Sequence, residues 1–105
     1  MKKSLGISHA DSMKALKKRR PDVYKALKDP EPMACLAWNV MEYRHEKGLS
    51  QKALAAKAGV SLRTIAYLEE YRDKFNPQIK IVQAIAKALG VKFTELFQTV
   101  DMTKS

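Results

Sequence analysis

Few residues in this 105-residue chain are of types that perform chemistry, and their spacing narrows the field quickly. His9, His45 and Cys35 are the softest metal ligands, and no two of them stand at ligand spacing. They read as a frayed-tail histidine, a surface histidine and a small packing residue. Serines and carboxylates occur, but without a carboxylate pair, a nucleophile elbow or a glycine-rich phosphate loop. The sequence therefore predicts no catalytic residue, no metal site and no cofactor, and the chain is not expected to be an enzyme. Its abundant chemistry is cationic: Lys and Arg total 20 against 11 Asp and Glu, a formal charge of +9. Such an excess attracts polyanions, nucleic acid most commonly, although a solvated helix that aids solubility carries the same signature.

The cations are unevenly placed. Residues 1–30 hold nine basic and three acidic side chains, whereas residues 31–105 hold eleven and eight. That imbalance suggests a basic arm on a more balanced domain. Length gives room for one domain with one modest core, not a multidomain enzyme. Apolar runs such as Met33–Trp38 are far too short to span a bilayer. A signal peptide is not expected either, since polar residues and His9 interrupt the apolar start at Leu5-Gly6-Ile7. A lone cysteine excludes a disulfide scaffold and fits a reducing, cytoplasmic setting.

The elements that must position any functional side chain are helices. No sustained period-2 alternation and no Asn-Gly or Asp-Gly hairpin signal is present. Residues 1–10 read as frayed, Asp11–Arg19 as a short basic helix, and Pro21–Leu27 as a second helix opened by proline. Asp29-Pro30-Glu31-Pro32 is a break, followed by a longer helix over about 33–47 that Gly48 stops. Ser50 is the expected N-cap of Gln51–Ala58, which Gly59 ends, and Ser61 the cap of a helix from Leu62 to about Glu70. After a polar loop over Tyr71–Asn76, a helix follows Pro77 and runs to Leu89, closed by Gly90. A short turn over Phe93–Phe97 precedes the tail. The expected organisation is a basic helical extension over 1–31, a helical domain over 32–97 and a tail over 98–105.

Gln51 to Leu68 is the informative stretch. Two helices of about eight and nine residues, joined by Gly59-Val60-Ser61, have the plan of a helix-turn-helix. Ala55 is small where the second helix must cross closely, and Gly59 suits the left-handed backbone a tight turn needs. Leu54 and Ala58 share one face, Ile65 and Leu68 the next, and these would meet over Val60 as the motif's own core.

Gly48-Leu49-Ser50-Gln51, Ala55, Gly59-Val60-Ser61, Ile65 and Leu68-Glu69 resemble the repressor-type helix-turn-helix of phage repressors, Cro proteins and related bacterial regulators. The resemblance continues through Pro77 and Ile85-Ala86-Lys87-Ala88-Leu89-Gly90-Val91 to Glu95-Leu96-Phe97, covering roughly residues 33–97. It implies an all-α fold, a five-helix lambda-repressor-like domain, that binds double-stranded operator DNA in sequence-specific fashion and regulates transcription as a repressor and homodimer. Helix 62–70 would enter the major groove, with Ser61, Leu62, Arg63 and Tyr67 facing bases or adjoining phosphates. Arg63 is the best base reader, because its fork matches the two acceptors of guanine, and Leu62 could meet a thymine methyl. Thr64 and Ser61 are expected phosphate ligands, and Gln51 matches a position that bonds phosphate and braces the recognition helix. Lys74, Asn76 and Lys80 are further expected phosphate partners. Arg44 and Glu69 match a pair that forms a buried salt bridge in this family; two solvated charges are the bland alternative. The chain departs from the family pattern after Glu69, where many relatives have a glycine and this sequence has Glu70-Tyr71 and a long loop. Glu70 and Asp73 would repel DNA if they faced it.

Around the helix at 33–47, Met33, Leu36, Ala37, Val40, Tyr43 and Arg44 form one face, directed to the domain core. Ala34, Trp38, Met41 and His45 form a second stripe that a five-helix core would not need. The extension is expected to pack there through Met13, Leu16, Tyr24 and Leu27; a partner protein on the stripe is the rival. A basic helix, then Leu27-Lys28-Asp29-Pro30, then a helix-turn-helix also resembles the layout of HigA-type antitoxins, which implies a toxin protein as a possible partner. A membrane-visiting extension is disfavoured by Pro21 and a modest apolar face. Ile81, Phe93 and Phe97 are the apolar candidates for a dimer surface.

Overall fold

The computed structural model describes residues 9–28, 31–72 and 75–100, with side chains described from Met13 onward. Its elements are α1 (His9–Arg19), α2 (Pro21–Lys28), α3 (Pro32–Glu46), α4 (Gln51–Ala58), α5 (Leu62–Glu69), α6 (Ile79–Leu89) and a terminal 3-10 helix, Phe93–Phe97. All regular structure among the described residues is helical, and none of these helices is long and apolar enough to cross a membrane. α1 begins at His9, so His9 and Ala10 are helical rather than frayed; residues 1–8 and the Asp29-Pro30 break lie outside the described residues.

Local chemistry sets the helix ends. Glu31 caps α3, its Oε1 accepting from the Met33 amide at 2.7 Å, with Pro32 in the first turn where no amide donor is needed. Ser50 and Ser61 cap α4 and α5, their hydroxyls accepting from the amides of Ala53 at 2.9 Å and Thr64 at 3.0 Å. At the end of α4, Gly59 takes φ +73, and the Val60 amide reaches back to the Ala55 carbonyl at 3.0 Å. Only glycine adopts that left-handed conformation without steric cost, and Val60, one residue on, folds back against the core. Gly48-Leu49 and Gly90-Val91 end α3 and α6 with the same pattern of bonds.

Two apolar clusters hold the molecule. In the first, Leu36 and Val40 of α3, Leu54 of α4, Ile65 and Leu68 of α5, Ile85 and Leu89 of α6, and Leu96 are all essentially removed from water. Each such aliphatic side chain contributes about 1.5–3 kcal/mol of burial free energy. Asn39 locks the chain end onto α3, its Nδ2 donating to the carbonyls of Leu96 at 3.0 Å and Gln98 at 2.8 Å. The second cluster joins the extension to the other side of α3: Met13, Val23 and Leu27 pack on Ala34, Cys35 and Trp38, flanked by Leu16, Tyr24 and Met41. This is the packing that the second stripe of α3 predicted, and it occupies the extension's apolar face. Cys35 is buried within it, and burial pushes its thiol pKa up. His45, the last member of that predicted stripe, is not in the second cluster.

Candidate nucleic-acid interface

α4 and α5 are joined by the Gly59 turn, and α5 buries Ile65 and Leu68 while presenting Ser61, Leu62 and Arg63 to solvent. Leu62 is 47% exposed, unusual for a leucine in a domain that buries its other leucines well. Arg63 is exposed and makes no ion pair with a described carboxylate. Ser61 and Thr64, both expected as phosphate ligands, have their hydroxyls 2.9 Å apart, so each is partly engaged by the other.

The opposite side of α5 is fastened by charge. Arg44 on α3 meets Glu69 with two nearly parallel bonds, Nε to Oε2 at 2.7 Å and Nη2 to Oε1 at 2.9 Å. The pair is nine-tenths buried on Arg44 and 95% buried on Glu69, so it is a desolvated, bidentate lock rather than two solvated charges. Arg44 Nη1 also donates to the Leu49 carbonyl at 2.8 Å, and Gln51 Nε2 donates to Glu69 Oε1 at 3.1 Å. The first residue of α4 thereby braces the last residue of α5. His45 joins the network, Arg44 Nη2 donating to its Nε2 at 3.1 Å. The expectation of a surface histidine is corrected here: burial first, then the Arg44 charge, lowers its pKa and favours the neutral ring that can accept this bond.

Beyond Glu69 the chain does something the sequence reading did not foresee. Tyr71 takes φ +55, the left-handed position that glycine fills at the other helix ends. The bonds of a glycine-type termination are nevertheless made, from the Tyr71 amide to Leu68 and from the Arg72 amide to Tyr67, both at 3.2 Å. A non-glycine residue there costs about 1 kcal/mol or more. Two contacts offset it. The Tyr71 hydroxyl donates to Glu31 Oε2, which pushes the phenol up to about 12, and the ring packs against the second cluster. Arg72, where the glycine-ended helices carry Leu49, Val60 or Val91, lays its guanidinium over the Tyr67 ring at 4.1 Å. Phe75 meets the same ring edge-on at 5.8 Å, holding the loop that carries Asn76 beside α5. Tyr67 is therefore half-buried between Arg72 and Phe75, rather than simply projecting from the helix.

Glu70 lies within 3.5 Å of Arg72, so its charge is compensated instead of standing free against a polyanion. Asn76 is exposed, as is Lys80 in the first turn of α6; Lys74 and Asp73 lie outside the described residues. Ile81, Phe93 and Phe97 are half-buried against the first cluster, and the most exposed large apolar side chain among the described residues is another, Ile79, at 66%. Arg72, Tyr71 and Asn39 were missed because their roles depend on chain reversals and long-range partners that leave no periodic trace. The family's usual glycine after Glu69 was the one available hint for Tyr71. Among the described residues, no three His, Cys, Asp or Glu side chains converge as metal ligands.

A family model described as helix-turn-helix matches residues 40–96, which spans Val40 of α3 through Leu96. An uncharacterized HTH-type transcriptional regulator of Sinorhizobium fredii is 37% identical over 65 residues, covering 62% of this chain and 82% of its own length. One from Methanocaldococcus jannaschii is 42% identical over 55 residues, 52% of this chain and 80% of its own. The immunity repressor protein of Bacillus phage phi105 is 38% identical over 53 residues, half of this chain and 35% of the repressor. No solved structure matches the chain significantly. The turn geometry, the capped helices and these relatives agree, and the chain belongs to the Cro/C1-type helix-turn-helix family.

Proposed function

We propose that this protein is a sequence-specific regulator of transcription, acting as a repressor, that lays α5 in the major groove of double-stranded DNA. The observation that carries the reading is the two-sidedness of α5. One side is fixed by Ile65, Leu68 and the Arg44–Glu69–Gln51 lock, while Leu62 and Arg63 stand exposed beside the capping Ser61 at its N-terminal end. A rigidly held helix with a free arginine suits base reading, because the guanidinium fork can meet both acceptors of guanine. Leu62 supplies an apolar contact for a thymine methyl. The N-termini of α4 and α6, with Gln51, Asn76 and Lys80, suit phosphates on either side, since free amides and the helix dipole favour anions there. A homodimer on a two-fold operator would set two copies of α5 about 34 Å apart, one turn of DNA. The relative named as a phage immunity repressor supports repression. The antitoxin reading has only the chain layout behind it, and we prefer the repressor.

Selection of bound sequences from random duplex DNA, followed by titration of variants, tests this. Arg63→Ala should cost about 1–3 kcal/mol on the selected site and blur one base position. Lys80→Ala should weaken all sequences alike and make the salt slope shallower by about 1. Intact affinity and base preference in Arg63→Ala would mean that α5 is not the reading helix.

A further inference from the structure

A cavity and an uncompensated charge coincide at one place away from the free side of α5. Between α2, the start of α3 and the end of α5 lies a pocket of about 390 Å³, within the size range of small-molecule sites. Met33 and the buried Leu68 give it aliphatic lining. Tyr67, Tyr71 and Phe75 add three aromatic rings, each half-buried and so partly open to the space. The rings of Tyr67 and Phe75 stand at 84° to each other and form a corner. Tyr71, in its left-handed conformation, reaches Glu31 with its hydroxyl; a glycine there would supply neither ring nor donor.

The polar lining is Asp22, Glu31 and Arg72. Two of these are neutralised by neighbours, Asp22 by Arg20 at 3.1 Å and Arg72 by Glu70 at 3.5 Å. Glu31 differs. Its Oε1 accepts from the Met33 amide at 2.7 Å and its Oε2 from the Tyr71 hydroxyl, both neutral donors, and no described cation pairs with it. A carboxylate offers about four acceptor sites, so Glu31 retains capacity on both oxygens. A half-buried carboxylate with only neutral partners favours a cation beside it, and so does an aromatic face. Arg72 demonstrates the second preference, with its guanidinium 4.1 Å over the Tyr67 ring. Two carboxylates with no third ligand converging on them do not make a metal cage, which leaves an organic cation as the fitting occupant.

We propose that this pocket binds a small organic amine, with its ammonium on Glu31 and its apolar or aromatic body against Tyr67 and Phe75. The lining comes from the extension, the start of α3 and the end of α5, so an occupant ties the three together. The site stands whether or not α5 reads bases.

The test is titration of the full-length, isotope-labelled protein with three probes of similar shape, followed by backbone amide chemical shifts. The probes are phenethylamine, phenethyl alcohol and phenylpropionate. The amine should give saturating shifts at Glu31, Met33, Tyr71 and Arg72, half-complete on the order of 1 mM, a range open to a fragment of about nine heavy atoms. The alcohol should bind about tenfold more weakly, as expected for loss of a charge-assisted bond, and the carboxylate more weakly still. Glu31→Gln keeps the side-chain length and an oxygen for the Met33 amide, and should bring amine and alcohol to equal affinity. Tyr71→Phe keeps the ring and frees Glu31 Oε2, so it should strengthen binding of the amine and leave the alcohol unchanged. This second variant serves even if Glu31→Gln fails to fold. Equal binding of amine and alcohol to the wild type means an apolar crevice and overturns the proposal. Strongest binding of the carboxylate overturns it too, by making Arg72 the recognising group. Shifts that do not saturate, or that lie away from the pocket, have the same consequence, as does an amine that gains nothing from Tyr71→Phe.

Discussion

Residues 32–97 and residues 9–28 bury helix faces by different means. The first region removes Leu36, Val40, Leu54, Ile65, Ile85, Leu89 and Leu96 from water within its own helices, and needs no neighbour to complete its core. The second has Met13, Val23 and Leu27 to bury, and they are covered only because α3 carries a second apolar stripe in Ala34, Cys35 and Trp38. Charge follows the opposite order. The self-sufficient region is nearly balanced and places its cations singly, with Arg44 buried in a pair and Arg63 free, while the dependent region masses them on its outer face. The difference teaches that net charge marks where a polyanion is attracted, and packing marks which surface is held rigidly enough to read one.

The comparison breaks most readily at two residues, one behind the recognition helix and one on the α3 stripe that the extension covers, each expected to cost about 3–5 kcal/mol. Glu69→Ala leaves Arg44 buried without its partner. Trp38→Ala opens a cavity under the extension. Thermal or urea denaturation should give one transition for both variants if the clusters fold as a unit. An unchanged melting temperature in Trp38→Ala would mean that the stripe is not covered in solution and would leave it for a partner.

A smaller effect, about 1 kcal/mol, is expected for Ser61→Ala, which removes the cap of α5. Because the cap lies at the reading end of the helix, operator affinity should fall further than stability does. Equal losses would argue against α5 entering the groove by its N-terminus.

Tyr71→Phe should cost about 0.5–1.5 kcal/mol, the net worth of its bond to Glu31. Its phenol is raised to about 12 in the folded protein, from 10.0, first by that bond. The stabilisation is thus complete below pH about 10 and is lost as pH rises toward 12. Stability curves of wild type and variant should be separate at pH 8 and converge in that window; curves that stay parallel would dismiss the bond. The smallest effect belongs to His45, whose pKa is lowered by burial and by Arg44. It contributes stability above its ordinary value of 6.5 that fades as pH falls through the lowered value, and His45→Gln should flatten that acid limb.

Much of the fold was legible because helix boundaries are written by neighbours. Ser50, Ser61, Gly48, Gly59 and Gly90 mark the ends of helices within a residue or so, and the apolar spacing of α3 showed both faces that the structure buries. The expected end of α5 at Glu70 moves to Glu69 and the start of α6 to Ile79, shifts that leave every face in place. The pairing of Arg44 with Glu69 entered through family resemblance, since nothing local joins residues 25 apart. Ser61, Leu62 and Arg63 could be placed on the outer side of a capped helix from sequence, whereas the burial of Tyr67 between Arg72 and Phe75 could not.

By itself, then, the sequence determined what depends on short-range rules: the capped helices, the Gly59 turn, the free side of α5 and the uneven charge. Only the tertiary structure decided what depends on residues far apart in the chain. It set Tyr71 in a left-handed conformation by giving its hydroxyl to Glu31, 40 residues away, and stacked Arg72 on Tyr67 as a consequence. It also put the basic extension beside the end of α5. A cap or a helix face is settled within a few residues, but a strained backbone persists only when distant contacts offset its cost, and those exist only once the chain has folded.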